Sequence, residues 1–263
     1  MEKTNKCNKP KRILGIVAHP DDEIGMVGTL RNHFTRDDKV FLAWMTRGEL
    51  SSVFNLEKYS TKEAAAIRTE QAEKTARLVG AQAIFLDYPD SNVPASREAA
   101  LNVAQLIRKT RPTAIITWNP LTEGHPDHRN TGKLVLDAIA YARVPRLIPD
   151  LPPYRPPYGK GISVYVYDHP TDPTPKIFID ISDQMKVIDK VIQVYEDIFP
   201  MDISDWKYRI AKSYGKASDC EFAEMFRFKR YKGTFASLVR DGSEMFGNDT
   251  TLPSDNKAIR YLI

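Results

Sequence analysis

The sequence predicts an α/β fold, a Rossmann-like mainly parallel sheet with helices on both faces, plus C-terminal additions. Three observations predict it. Short apolar, β-rich runs alternate with longer amphipathic ones through the first half of the chain. The intervening segments are long enough for crossover connections, which parallel neighbours need and hairpins do not. Each of the first four apolar runs ends in a loop crowded with polar side chains, the place where open parallel sheets bind their ligands.

Taken in order, the first strand is expected over residues 13–17, followed by "AHPDDE" and a helix over about 23–34. A second strand over 40–45 ends in "TRGELSS", and the Ala-rich, charge-laced stretch of about 61–79 is the next helix. The third strand, 83–86, runs into "DYPDSN" and a helix over about 96–109. The fourth, 113–117, runs into "WNPLTEGHPDH" and a helix over about 127–142. Residues 144–157 then hold six of the 18 prolines, each of which removes a donor and fixes φ, so an extended irregular insert is expected over 144–160. Tyr154 and Tyr158 are large groups that a free linker has no reason to carry, so the insert reads as an ordered wall or subunit contact. Two more strands (163–167 and 176–181), a helix over about 183–197 and a last strand over 224–228 complete the pattern.

Domain organisation follows: a disordered basic tail over 1–12, one domain over 13–231, and a polar C-terminal extension over 232–263. With 263 residues and 42% apolar content the chain can bury one large core. Cys7 and Cys220 make neither a disulfide framework nor a zinc ribbon, which points to a reducing compartment. Nowhere do about eighteen apolar residues run together and no signal peptide is recognisable, so the expectation is a cytoplasmic protein without a membrane partner. A net charge of +4 on 38 basic and 34 acidic residues is too balanced to suggest nucleic acid. A homo-oligomer is expected.

The chemistry lies in the loops. His19 and Asp22 stand three apart across a proline where strand becomes helix, so both side chains can turn to one side. Neutral imidazole and carboxylate are good zinc ligands, and His128 from the fourth strand end completes two histidines and one carboxylate with a position open for water. Zinc brings the pKa of such a water to about 7. Asp21, next to Asp22 but pointing elsewhere, suits a general base. His125 suits a donor to a developing oxyanion or leaving amine, with Asp127 holding its orientation. An isolated "HPD" is more often a turn or helix cap. Two such motifs at the ends of parallel strands turn the balance toward a metal centre. His33 and His169 read as surface or satisfied histidines.

"AHPDDE" followed about a hundred residues later by "HPDH" resembles the PIG-L (LmbE-like) family of zinc-dependent N-acetylglucosaminyl deacetylases. The likeness extends to "TRGE", "RTEQAEKTARLVG", "DYPDSN", "RPTAIIT", "FIDISD" and "EMFRF", covering about residues 13–230. The resemblance implies His19, Asp22 and His128 as zinc ligands, Asp21 as base and His125 as electrophilic partner, and it adds Glu49, Arg68 and Asp90 near the sugar. Within the family, "HPDHRNTG", the insert and "VIQVYEDIFPMDISDW" are most similar to archaeal diacetylchitobiose deacetylases. One departure is that the His-Arg-Ser-Gln common in the late helix is here Tyr195, Glu196, Asp197 and Ile198. The implied reaction is hydrolysis of the 2-acetamido group of an N-acetylglucosamine unit, with diacetylchitobiose or N-acetylglucosamine favoured over glucosaminides of malate or inositol.

Arg68 and Asp90 are the groups expected to bind sugar hydroxyls directionally, against a plain salt bridge of Arg68 to Asp90 or Glu70. Other classes fit less well. A dinucleotide-binding protein needs a Gly-rich first turn, where "AHPDDE" offers carboxylates that repel pyrophosphate. A non-catalytic sugar-binding module has no need for Asp21, and a metal phosphoesterase is separable by its products.

Overall fold

The computed structural model describes residues 10–51, 58–148, 156–167, 172, 174, 176–196 and 203–229, and the backbone of 259–261. Its strands are β1 (Arg12–Val17), β2 (Lys39–Trp44), β3 (Ala81–Phe85), β4 (Ala114–Thr117), β5 (Ser163–Tyr167), β6 (Lys176–Asp180), β7 (Ala223–Lys229) and β8 (Ile259–Tyr261). They form one sheet in the order β3-β2-β1-β4-β5-β7-β6-β8. The first five are mutually parallel, and β7 runs antiparallel between β5 and β6. The helices are α1 (Val27–Phe34), α2 (Thr61–Val79), α3 (Arg97–Thr110), α4 (Pro126–Tyr141), α5 (Met185–Tyr195) and α6 (Ile203–Ala217).

The core has two sides, as expected of a doubly wound sheet. Residues of α1, α2 and α5 pack on one face around Leu42, Trp44 and Ile116. Those of α3 and α4 pack on the other around Leu14, Ile16 and Ile115. β1, β2 and β4 are buried on both faces, which is why they read as continuous apolar runs.

Local chemistry explains most boundaries. Ser60 and Glu63 form a reciprocal capping box at the start of α2. Gly80, at φ 82°, ends that helix in the left-handed region and lets β3 begin one residue later, two residues ahead of the sequence expectation. The expected helix over 23–34 is broken. Asp22–Gly25 is a single 3₁₀ turn, and α1 starts only at Val27 because the Glu224 carboxylate, from β7, takes the N–H groups of Gly28 and Thr29 at 3.0 and 2.8 Å. Sequence reasoning missed α6. Its buried stripe of Ile203, Lys207, Ala211 and Gly215 has clear four-residue spacing, but it carries a lysine and a glycine where apolar residues would announce a core face.

Of the insert, 149–155 including Tyr154 lies outside the described residues, as does His169. Tyr158 is buried, with its N–H on the Ala142 carbonyl and its hydroxyl on the Pro112 carbonyl at 2.9 Å each, so this end of the insert is tied to the α3/α4 side. His33 is a satisfied histidine at Nδ1, bonded to Asp38 at 2.8 Å in the core.

The chain leaves β1 outward through β2 and β3, then crosses back to β4 on the other side of β1. The crevice at the carboxyl ends of β1 and β4 is therefore the switch point of the sheet, the position such folds offer to ligands.

Candidate active site

Both motifs of histidine and aspartate open at that crevice, "AHPDDE" from β1 and "HPDH" from the start of α4. Pro126 occupies the first turn of α4 and His125 is its N-cap, its Nδ1 accepting from the Asp127 N–H at 3.2 Å. His128 is thereby fixed one turn in. Trp118, which follows β4 directly, stacks on the His128 ring with centroids 3.9 Å apart and planes 6° from parallel.

Three donor atoms meet here. His19 Nδ1 lies 3.2 Å from His128 Nε2, His128 Nε2 lies 3.2 Å from Asp22 Oδ1, and His19 Nδ1 lies 3.6 Å from Asp22 Oδ2. Ligands bound about 2.0–2.1 Å from one zinc at tetrahedral angles stand about 3.3–3.4 Å apart, close to the two 3.2 Å separations that His128 Nε2 makes with His19 Nδ1 and Asp22 Oδ1. Asp22 Oδ2 is saturated by the N–H groups of Ala18, His19 and Trp118 at 3.0, 2.9 and 3.0 Å, which leaves Oδ1 for a cation. Burial disfavours the Asp22 charge, yet His128, His19 and the backbone outweigh it and hold this carboxyl well below the usual range.

The far side of His19 meets carboxylates. Its Nε2 lies 3.2 Å from Asp90 Oδ1 and 3.3 Å from Asp127 Oδ2. Burial alone would lower the His19 pKa, but Asp127, Asp90 and Asp22 prevail and push it up to about 10. Two further, overlapping groups also have donor atoms near enough to one another to hold a metal, His19 with His125 and His128, and His19 with Asp90 and Asp127. Asp127 and Asp90 already accept the N–H groups of Val93 and Leu50 with their other oxygens and are nearly sealed from solvent. Asp22 and Trp118, on the Nδ1 side, line a cavity, and the Nε2 side has the form of the carboxylate support that metal-binding histidines receive from behind.

Asp21 turns the other way. Its carboxylate takes a bond from Arg68 Nη2 at 2.5 Å, and the same nitrogen donates to the Pro20 carbonyl. Burial, helped by the Asp22 charge and opposed by Arg68, pushes the Asp21 pKa up to about 6. Its φ of 102° is a torsion that residues with a Cβ rarely adopt.

All nine residues singled out from the sequence lie at this rim, but three have partners other than those expected. The Asp127 carboxylate supports His19, not His125, which receives the Asp127 backbone N–H instead. Arg68 pairs with Asp21, not with Asp90 or Glu70, and is only 1% exposed. Asp90 faces His19, and its N–H is held by Glu49 Oε1 at 2.9 Å. Sequence reasoning missed Trp118, whose one signal was a tryptophan directly after the fourth strand, and Tyr167, whose hydroxyl donates to the Asp22 carbonyl at 2.9 Å. Beside Asp21 and Asp22 opens a cavity of about 410 Å³, walled by Trp118, Tyr167, Trp206, Ile210, Tyr214 and Met225. That size is in the range of small-molecule sites.

A doubly wound sheet with histidines and carboxylates gathered at its switch point has the make-up of a metal-assisted hydrolase. Comparison with known proteins gives the particular family. Residues 14–139 match the PIG-L family model, described as GlcNAc-PI de-N-acetylase. The chain is 33% identical over 237 residues to a diacetylchitobiose deacetylase of Thermococcus kodakarensis, covering 85% of this chain and 86% of that protein. The solved structure of the N,N'-diacetylchitobiose deacetylase of Pyrococcus horikoshii, in complex with an inhibitor, superposes with a TM-score of 0.75 at 32% identity, covering 91% of this chain and 92% of that one. A 1D-myo-inositol 2-acetamido-2-deoxy-alpha-D-glucopyranoside deacetylase of Kineococcus radiotolerans is 28% identical over 52% of this chain and 47% of its own length. The chain belongs to the PIG-L family and is a hydrolytic deacetylase.

Proposed function

We propose that this enzyme removes the 2-acetamido acetyl group of an N-acetylglucosamine-containing sugar, releasing acetate, with diacetylchitobiose the favoured substrate. The observation that carries the reading is 33% identity over 85% of the chain to a diacetylchitobiose deacetylase, joined to donor atoms of His19 and Asp22 each 3.2 Å from His128 Nε2 beside a carboxylate of raised pKa. Glucosaminides of inositol or malate are the runner-up substrates, since the likeness to the inositol-glucosaminide deacetylases spans only about half of the chain.

His19 Nδ1, Asp22 Oδ1 and His128 Nε2 would hold the zinc, with the Asp90 and Asp127 carboxylates fixing the His19 ring through Nε2. When bound, zinc polarises the amide carbonyl and brings a water toward ionisation at neutral pH. Asp21, with Oδ2 held by Arg68, takes the water's proton at Oδ1, and its pKa of about 6 suits that exchange near neutrality. His125 accepts at Nδ1, which leaves its proton on Nε2, and burial with the neighbouring His19 keeps the ring neutral. That Nε2–H is a donor for the developing oxyanion. Glu49, Arg68 and Asp90 remain the proposed sugar contacts, although Arg68 also serves Asp21 and Asp90 also serves His19.

The same proposal covers the domain over 13–231, a cytoplasmic setting without nucleic-acid or membrane partners, and a homo-oligomer. No helix among the described residues is long and apolar enough to cross a membrane. Leu50, Leu121 and Trp206 are exposed apolar groups near the rim that a subunit contact would cover. The test is acetate release from N-acetylglucosamine, diacetylchitobiose and the glucosaminides of inositol and malate, beside a phosphoester control. Hydrolysis of the phosphoester with no acetate from any sugar would overturn the reading.

A further inference from the structure

Behind Asp21 lies a layer of polar side chains that the chemistry above does not use. Glu23 is fully buried, and its Oε2 accepts from the Asp21 backbone N–H at 2.9 Å and from Trp44 Nε1 at 3.0 Å. Its Oε1 accepts from the hydroxyl of Tyr195, the last residue of α5. Tyr195 is fully buried too, and the guanidinium carbon of Arg68 stands 5.7 Å from the centroid of its ring. Asp21 is thus held twice, by Arg68 at its carboxylate and by Glu23 at its backbone, and Tyr195 touches both holders.

Packing alone does not account for this. A tyrosine ending an amphipathic helix is ordinarily core, and a phenylalanine would fill the same space. The hydroxyl instead reaches the one carboxylate that fixes the backbone of Asp21. That backbone needs fixing, because a φ of 102° in a residue with a Cβ costs about 1–3 kcal/mol and persists only where the surroundings over-determine it. A side-chain oxygen that accepts a buried peptide N–H restrains that peptide, because turning it away would leave the donor without a partner. The indole of Trp44 and the hydroxyl of Tyr195 keep that carboxylate aimed at Asp21.

We propose that Glu23 and Tyr195 are positioning residues for Asp21, setting the torsion that turns its carboxylate away from the Asp22 donor cluster and toward the reacting water. The inference rests on the reading of Asp21 as the base. Neither residue touches substrate, so both act on turnover and leave binding alone.

The experiment compares Tyr195→Phe, Tyr195→Leu, Glu23→Gln and Glu23→Ala with Asp21→Asn and the parent enzyme. Each is measured for zinc content, melting temperature, kcat and KM on diacetylchitobiose, and hydrogen exchange of the peptide that contains Asp21. Tyr195→Phe is expected to lower kcat about tenfold, the equivalent of one hydrogen bond, with KM and zinc content unchanged and faster exchange at Asp21. Tyr195→Leu, which also strips the ring from Arg68, falls further. Glu23→Gln keeps an acceptor for the Asp21 N–H and retains more turnover than Glu23→Ala. An inactive Asp21→Asn beside a Tyr195→Phe with parental kcat and parental exchange would overturn the proposal. Parallel loss of kcat, zinc and melting temperature in both Tyr195→Phe and Glu23→Gln would overturn it as well, since that is general support of the fold. An Asp21→Asn with parental turnover would instead remove the reading of Asp21 as base.

Discussion

Replacing Asp21 by asparagine keeps the shape of the side chain and removes its charge and its basicity. In protein stripped of metal, burial pushes this carboxyl up to about 6 from its ordinary 3.8, with Arg68 opposing and Asp22 adding. At about 1.4 kcal/mol per pH unit, the charged form costs the stripped fold about 3 kcal/mol. Below pH 3.8 folded and unfolded chains both hold the proton, so no cost arises. Between 3.8 and about 6 the unfolded chain releases it first, so stability falls as pH rises; above about 6 the full cost stands. Asp21→Asn escapes that cost. Stripped of metal at pH about 7.5, it should melt above the parent by as much as about 6–12 °C, at about 2–4 °C per kcal/mol, and the difference should vanish near pH 4. With zinc restored, acetate release should fall about a hundredfold or more while the ion is retained. Thermal melts in chelator across that pH range, beside single-substrate kinetics, measure both. Parental turnover, or a stripped mutant melting below the parent at neutral pH, would refute the reasoning.

Three further outcomes are expected. His19→Ala, Asp22→Ala and His128→Ala should each lose zinc by metal analysis, whereas His125→Ala should keep it and lose turnover; loss of zinc in His125→Ala would favour the alternative group of three histidines. Because carboxylates hold the His19 proton up to about 10, uptake of zinc by stripped protein near pH 7 should release about one proton per ion, measurable with an indicator dye, and affinity should rise with pH. Constant pH during uptake would contradict the assignment of His19 as a ligand. Arg68→Ala leaves a buried carboxylate unpaired and should cost about 3–5 kcal/mol of stability by denaturant titration, a cost that a second change, Asp21→Asn, should largely relieve; equal costs in both backgrounds would show that the pair is not coupled.

The parallel half of the fold was legible because each strand is a run of buried apolar residues between amphipathic stretches, and α2 was foreseen over 61–79 from its Ala-rich, charge-laced pattern, which a capping serine and a terminal glycine enclose in the structure. The helix over 23–34 was misread because its start is decided by Glu224, 195 and 196 residues from the amides it caps. α6 escaped notice because its buried lysine finds its partner, Glu224, on another element. A lysine on a core face looks polar until that carboxylate is known.

The sequence by itself determined the two motifs at the ends of β1 and β4 and so the gathering of His19, Asp22, His125 and His128, because strand ends in a parallel sheet share a rim whatever the details of packing. Only the tertiary structure decided which carboxylate serves which base. Asp127 went to His19, and Arg68 to Asp21, since side-chain pairing depends on ångström-scale placement of elements that the local pattern does not encode. The same holds for Glu23 and Tyr195, which lie 172 residues apart and meet because α5 packs on α2, beside the turn that follows β1. A buried hydroxyl and a buried carboxylate must find partners or lose the free energy of their hydration, and that requirement acts on the folded molecule as a whole.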